Sequence, residues 1–410
     1  MKLANQTRTI SIALFICFAT TNASAQVSYE RILNSADEPE NWLTYNGGYK
    51  SQRYSQLDQI TPENVTDLKL QWTLQNQVFG AWQSNPIVVD GIMYITERPN
   101  SVMAVDAITG RVFWKYRHVP AENALICCGA NNRGVAVLDD KVFMGTLDAR
   151  LVALDRVTGS ALWDVEVGDV DLAYSVTMAP LVVKDKVIVG VGGGEFGIRG
   201  YVAAYDAETG EEAWKTYTIP GPGEPNHDSW EGDDWQHGGA PVWITGSFDA
   251  ELNLTYWGVG NPGPDWNAGQ RPGDNLYSDS VIALDADTGE LKWHFQFTPN
   301  DAYDYDAVQV PVLADIVWRG TPSKIMMWAN RNGYFYVLDR VTGEFLEGKP
   351  YVTVNWSSGL DENGRPIPTP QPEGMPTFPG NQGGTNWYPP SFSPRTGLFY
   401  FSAWQDYATI

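Results

Sequence analysis

The chain is predicted to be all-β, a β-propeller of four-stranded blades with tryptophan-docking repeats, on three observations. One phrase recurs: AVDAITGRVFW from Ala104, ALDRVTGSALW from Ala153, AYDAETGEEAW from Ala204 and ALDADTGELKW from Ala283, and such self-similarity marks a repeat architecture. Apolar stretches such as PIVVDGIMYI, GVAVLDDKVFMG and PLVVKDKVIVGV are short, β-branched and broken by Asp, Lys or Gly, which is the pattern of hairpins. The third is composition: 40 glycines, 26 prolines and 17 tryptophans in 410 residues suit many short strands and tight turns, while clean helical periodicity is scarce.

At the N-terminus, Lys2 and Arg8 precede the apolar run ISIALFICFA, and a small-residue run follows at 22–26. Residues 1–25 are therefore expected to be a cleaved signal peptide, and 26–410 a single propeller domain in an oxidising, periplasmic compartment. The apolar run is short for a membrane span, and no later stretch approaches the length a span needs. Cys17 leaves with the signal, so the mature chain keeps only Cys127 and Cys128, side by side in LICCGANNRG. Neighbouring cysteines seldom bridge without strain, and the pair alone reads as two small buried apolar side chains. If bridged, it would form a flat, rigid, sulfur-rich surface against which a planar cofactor could stack.

Each repeat reads as a strand, an Asp-x-x-Thr-Gly turn and another strand. In the turn the carboxylate and hydroxyl bond backbone amides and glycine takes a left-handed conformation. The closing Trp114, Trp163, Trp214 or Trp293 is placed to wedge between neighbouring sheets. The first three recur about fifty residues apart, which is one four-stranded blade per repeat, and the longer gap before Trp293 implies an insertion. A fifth copy, VLDRVTGEFLE from Val337, carries Glu347 in place of tryptophan and predicts a differently packed blade. The proline-rich stretch from Arg365 to Pro379 reads as a surface excursion between blades. The chain stops soon after GLFYFSA with no closing blade, so the domain is expected to be incomplete at its C-terminus.

A formal net charge of -22 argues against nucleic acid and anionic membranes as partners and suits basic ones. The four histidines, His118, His227, His237 and His294, have no metal-ligand spacing, and no C-x-x-C-H haem signature is present.

Several separated motifs agree in order with one family: CCGANNRG, VTMAPLVVKDKVIVG, GGGEFGIRGYVAAYD, DSWEGDDWQHGG, GVGNPGPDWN, RPGDNLYSDSVIALDADTGELKW, PNDAYDYDAVQ and NRNGYFYVLDR. From about Trp42 to its end the chain resembles the pyrroloquinoline quinone-dependent alcohol dehydrogenases, the methanol and ethanol dehydrogenase group. The resemblance implies an eight-bladed propeller whose funnel holds the quinone and a metal, with the last blades absent here. It implies that Cys127 and Cys128 form a ring disulfide on one face of the quinone and that Trp243 covers the other. Arg133 is the matching carboxylate-binding arginine, Thr177 adds a hydroxyl, and Gly193, Gly194 and Asn386 complete the cofactor set. Gln83 stands where many relatives carry glutamate, which puts one polar contact in question.

For the metal, the resemblance implies Glu195, Asn261, Asp304 and Asp306, all oxygen donors as a hard cation requires. Taken singly, Glu195 and Asn261 would be read as turn residues. Asp304 matches the general base that takes the alcohol proton as hydride passes to the quinone, and Arg331 the group that stabilises the charge formed on reduction. Asp306 lies two residues on; in an extended strand both carboxylates would share one face and one ion. Aspartate there accompanies lanthanide use in the family, whereas calcium enzymes carry a small uncharged residue, so a lanthanide is favoured over calcium. The implied partners are a small alcohol and a cytochrome c or similar periplasmic electron acceptor, with a homodimer left open. The alternative function is a non-catalytic propeller scaffold of the outer-membrane assembly type, which would lack the combined Cys127, Cys128, Glu195, Asn261, Asp304 and Arg331 set.

Overall fold

The computed structural model of the protein describes residues 26–410, and the expected signal peptide lies outside the described residues. Among the described residues five four-stranded antiparallel sheets follow one another, at 87–117, 136–166, 181–217, 247–296 and 312–350, each with its strands in sequential order. Two shorter hairpins come after them, Ser357–Leu360 with Pro366–Pro368 and Ser391–Ser393 with Leu398–Tyr400. The first hairpin contains the start of the proline-rich excursion. Among the described residues the one α-helix, Tyr29–Leu33, is a single turn capped by the Ser28 hydroxyl, and no helix is long and apolar enough to cross a membrane.

The fourth strand is the least buried of each sheet. Ala136–Leu138 and Lys141–Gly145 are buried throughout, whereas Ala161–Glu166 alternates exposed with half-buried positions. This alternation turns the closing tryptophan of each outer strand toward the neighbouring sheet. Its docking partner is the turn glycine of the next repeat. A Cβ on Gly159 would lie 2.5 Å from the Trp114 ring, one on Gly210 3.0 Å from Trp163, and one on Gly289 2.5 Å from Trp214. The indole N–H groups then bond turn carbonyls in the same sheets, Trp114 to Arg156 at 3.1 Å, Trp163 to Ala207 at 3.3 Å and Trp214 to Ala286 at 3.2 Å.

The Asp-x-x-Thr-Gly turn is built as its residues dictate. Asp155 Oδ1 accepts from the backbone of Val157 and Thr158 and from the Thr158 hydroxyl, and Gly159 sits at φ +72°. The series begins one member earlier than the recurring phrase shows, because Trp72 packs on Gly110 and donates to Ala107 at 3.1 Å. At its other end the fifth repeat keeps the glycine contact but differs in its polar contacts. Trp293 packs on Gly343, but its indole N–H is buried without a partner, unlike those of the other docking tryptophans, and the outgoing position carries Glu347, paired to Arg319 and Lys349 at the surface.

Replacing Gly159 by alanine is expected to destabilise the protein by about 3 kcal/mol. A left-handed conformation and an intruding methyl group both oppose the change. Urea unfolding would measure it, and a loss under about 1 kcal/mol would mean that the indole contact is dispensable.

Candidate functional site

Antiparallel pairing puts the start of a sheet's first strand and the end of its second at the same end of the blade. The loops there carry nearly all the predicted residues. Arg133, Thr177, Trp243, Asp304 and Asp306 precede first strands beginning at Ala136, Leu181, Ser247 and Val312, and Glu195, Asn261 and Arg331 follow second strands ending at Gly190, Gly258 and Ala329. Residues far apart in sequence thereby converge.

Cys127 and Cys128 are joined in a disulfide. Both sulfurs lie within 4.8 Å of a Glu195 carboxylate oxygen; as a disulfide they offer no thiolate to a metal, so the contact marks a shared wall. Glu195 follows Gly193 and Gly194, which allow a close approach: a Cβ on Gly193 would lie 2.4 Å from the Ala173 carbonyl, and one on Gly194 2.9 Å from Pro241 and 3.6 Å from Asn261 Oδ1. The Asn261 backbone N–H donates to Asp306 Oδ1 at 2.8 Å.

Arg331 ties the aspartates together, with Nη1 2.5 Å from Asp306 Oδ2 and Nη2 3.2 Å from Asp304 Oδ2, while Nη2 also donates to the Asn381 carbonyl at 2.6 Å. The expected strand alternation is not how they meet. Residues 301–309 form no strand, and Asp304 is left-handed at φ +62°, so the i, i+2 rule does not apply. Asp306 is 5% exposed, not a solvent-facing residue. A non-glycine residue in this conformation is strained by about 1–3 kcal/mol, and such strain concentrates at functional sites.

The second lobe centres on Arg133, buried at 5% exposure. Its Nη1 donates to Thr177 Oγ1 at 2.8 Å, and its guanidinium lies 4.7 Å over the Trp243 ring and 5.5 Å over Trp387. Trp243 Nε1 reaches Asp306 Oδ1 at 3.5 Å and joins the two lobes. Asn386, adjacent to Trp387, is buried with its amide bonded to the Gln382 carbonyl.

The electrostatics are those of crowded acids. Burial, then repulsion from Asp306, Asp301 and Asp265, raises Asp304 to about 8 against the pull of Arg331. Burial raises Glu195 to about 7 although part of its surface is exposed, with Asp306 and Asp265 adding to it. Asp301 rises to about 6 by burial, and buried Asp279, whose two carboxyl oxygens have no hydrogen-bond partner, is held well above the usual range. Oxygen donors short of positive charge fit a hard cation. Arg133 has the opposite need. Among the described residues no carboxylate lies within salt-bridge distance of it, its Nε is buried without a partner, and burial lowers its pKa to about 10. Gln83 also buries Oε1 without a partner, two residues before Asn85, whose N–H donates to the Arg133 carbonyl at 3.0 Å. The unmet donors of Arg133 fit a flat ligand bearing carboxylates, whereas the Gln83 oxygen, an acceptor, calls for a donor.

A cavity of about 840 Å³ lies elsewhere, lined by Tyr49, Lys50, Asp249, Asp315 and Arg340. Arg340 there is already satisfied by Asp249, Asp315 and the Ala314 carbonyl, and Arg53, which also lines it, donates to the Tyr45 carbonyl and to Asn46 and Asn85.

Sequence reasoning missed Asp148, which anchors the loop leading to the disulfide. Its carboxylate accepts from His118 Nε2 at 2.9 Å, Thr146 Oγ1 at 2.6 Å and the Ala121 N–H at 3.1 Å. Burial raises its pKa, but these bonds outweigh it and hold the carboxyl at about 2. Its folded value is depressed, so its contribution of about 2 kcal/mol is present above the unfolded value near 4 and is lost as pH falls through the folded one. Asp148→Asn should therefore lower unfolding stability by about that amount at neutral pH, the difference from the unsubstituted chain vanishing near pH ~2. Equal urea midpoints at neutral pH would contradict this.

The family described as PQQ: Glucose/ethanol/alcohol dehydrogenase, beta-propeller domain, matches residues 42–355. The quinohemoprotein alcohol dehydrogenase ADH-IIG of Pseudomonas putida is 43% identical over 429 residues, covering 97% of this chain and 59% of that protein. A solved structure of ADHIIG from Pseudomonas putida HK5 superposes with a TM-score of 0.88 at 43% identity, over 92% of this chain and 60% of the other. That of a europium-containing methanol dehydrogenase gives 0.87 at 38% identity, over 91% and 70%. The chain thus spans about three fifths of the length of ADH-IIG.

Proposed function

This chain belongs to the PQQ glucose/ethanol/alcohol dehydrogenase beta-propeller family, and from that premise we propose that it carries the active site of an exported, periplasmic quinoprotein that oxidises an alcohol to an aldehyde. The observation that carries the proposal is Arg331 bridging Asp304 and Asp306 beside Asn261. Bound pyrroloquinoline quinone supplies a two-electron acceptor and the bound metal a Lewis acid that polarises it.

The chain's own residues do the rest. Arg133 and Thr177 hold the carboxylates of the cofactor, with Gly193, Gly194 and Asn386 shaping its seat, while the disulfide and Trp243 bound it as flat surfaces. Glu195, Asn261, Asp304 and Asp306 hold the metal through oxygen. Asp304 keeps Oδ1 outside its bond to Arg331 and takes the alcohol proton there. Arg331, pinned by Asn381, stabilises negative charge as it develops. The carboxylate of Asp306 favours a lanthanide over calcium, since an added negative charge stabilises a trivalent ion more than a divalent one. A cytochrome c or similar periplasmic protein would be the electron acceptor.

The test is reconstitution of the full-length protein with pyrroloquinoline quinone and either calcium or a light lanthanide, followed by dye reduction with short alcohols. Turnover with at least one metal is expected. No turnover with any metal, together with loss of the quinone on dialysis, would overturn the proposal in favour of a binding scaffold.

A further inference from the structure

We infer that Asp265 is a positioning residue for the metal site, one that orients the Asn261 side chain so that its oxygen and not its nitrogen faces the cation. The inference rests on the reading of Asn261 as a ligand. An asparagine amide has two nearly isosteric ends, of which only Oδ1 can bind a hard cation. A bare asparagine in a pocket of carboxylates would turn the wrong end inward, because its NH₂ would be drawn to the nearest acid.

Here the nitrogen already has an acid of its own. Asn261 Nδ2 donates to Asp265 Oδ1 at 2.7 Å, with a second, longer contact to the Pro262 carbonyl at 3.5 Å. Its Oδ1 is thereby turned to the other side, 3.6 Å from where a Cβ on Gly194 would stand, next to Glu195. The backbone is held independently, by the bond from Asn261 N–H to Asp306. With the backbone fixed, the amide keeps one freedom that matters, rotation end for end, and the Asp265 bond removes it.

Asp265 is itself fixed without help from its carboxyl. Buried Arg271 donates from Nη2 to the Asp265 carbonyl at 3.1 Å and from Nε to the Pro264 carbonyl at 3.3 Å. Removing the Asp265 side chain therefore leaves the turn clamped, and a change in metal binding can be read as a change at Asn261.

Two substitutions separate orientation from charge. Asp265→Asn keeps an oxygen able to accept from Asn261 but carries no charge, whereas Asp265→Ala removes both. Europium would be titrated into the full-length, quinone-loaded, metal-stripped protein, with affinity read from its luminescence and bound water from the lifetimes in H₂O and D₂O. Asp265→Ala is expected to weaken europium binding about tenfold to a hundredfold, the usual effect of losing a partner that orients a ligand, and to add one water to the ion as Asn261 turns away. Asp265→Asn is expected to bind within about threefold of the unsubstituted protein with no added water. Unchanged affinity and hydration in the alanine variant would overturn the inference. So would an equal loss in both variants, which would make Asp265 a charge or a ligand. Unsubstituted protein that binds no europium would overturn the proposed function together with this inference.

Discussion

Replacing Asp304 by asparagine is expected to lower kcat by about a hundredfold to ten-thousandfold, the contribution of a positioned general base, with quinone and metal still bound. Asparagine has the same shape and can still accept from Arg331 Nη2, now 3.2 Å from Asp304 Oδ2, so the pairing of Arg331 with Asp306 should survive. What is lost is the ability to take a proton. Because the missing interaction is made in the transition state, kcat and kcat/KM should fall together. Steady-state dye reduction measures this, and the quinone absorbance of the dialysed variant shows whether the cofactor stayed. A kcat within tenfold of the unsubstituted enzyme, with the quinone retained, would show that the proton leaves by another group. The left-handed backbone at Asp304 is relevant to a second substitution. Glycine would relieve the strain, so Asp304→Gly should be inactive but no less stable, separating the residue's chemistry from its cost to the fold.

The blades were legible because their signals are local. Strand alternation, the Asp155 turn and the glycine at its end lie within a dozen residues of one another, and each repeat states them again. Trp72 escaped because the docking interaction is split between repeats: its glycine, Gly110, belongs to the first full copy, while the tryptophan stands in a stretch with no Asp-x-x-Thr-Gly of its own. A search for a tryptophan about forty residues before the first turn glycine, Gly110, would have found it.

The site was legible in a different way. No spacing in the sequence joins Glu195 to Cys127, or Arg133 to Trp243; they meet because loops at one end of successive blades surround one axis. Only the order of motifs shared with a known family could nominate them. Reasoning by strand period does not apply at Asp304 and Asp306 because an irregular loop with a left-handed residue, not a strand, carries them; their carboxylates meet through Arg331. Asp148 and Asp265 were invisible for a related reason. Asp148 acts through hydrogen bonds to residues of another loop and Asp265 through one to Asn261 in its own turn, and acidic residues are too common in this chain for one more to stand out.

Asp306→Ala should reduce affinity for a lanthanide by about a hundredfold, ~3 kcal/mol, and affinity for calcium by less, so that the preference between the two ions narrows or reverses. The carboxylate stands where three parts of the site join: Oδ2 pairs with Arg331 at 2.5 Å, and Oδ1 accepts from the Asn261 N–H at 2.8 Å and faces Trp243 Nε1 at 3.5 Å. Room for it is made by Gly260, where a Cβ would come within 2.2 Å of Oδ1. Deleting the carboxylate therefore removes a negative charge from the ion and also frees the Asn261 backbone, and only the first effect depends on the charge of the metal. Asp306→Asn separates them, since its oxygen can still accept from Asn261 while the charge is gone. If charge selects the ion, both variants should lose lanthanide in preference to calcium. If Asp306 serves only to hold Asn261 and Arg331, alanine should weaken both ions alike and asparagine should weaken neither by much. Competitive titration of lanthanum against calcium in the quinone-loaded protein reads the ratio directly, and a ratio unchanged in both variants would remove Asp306 from the choice of metal.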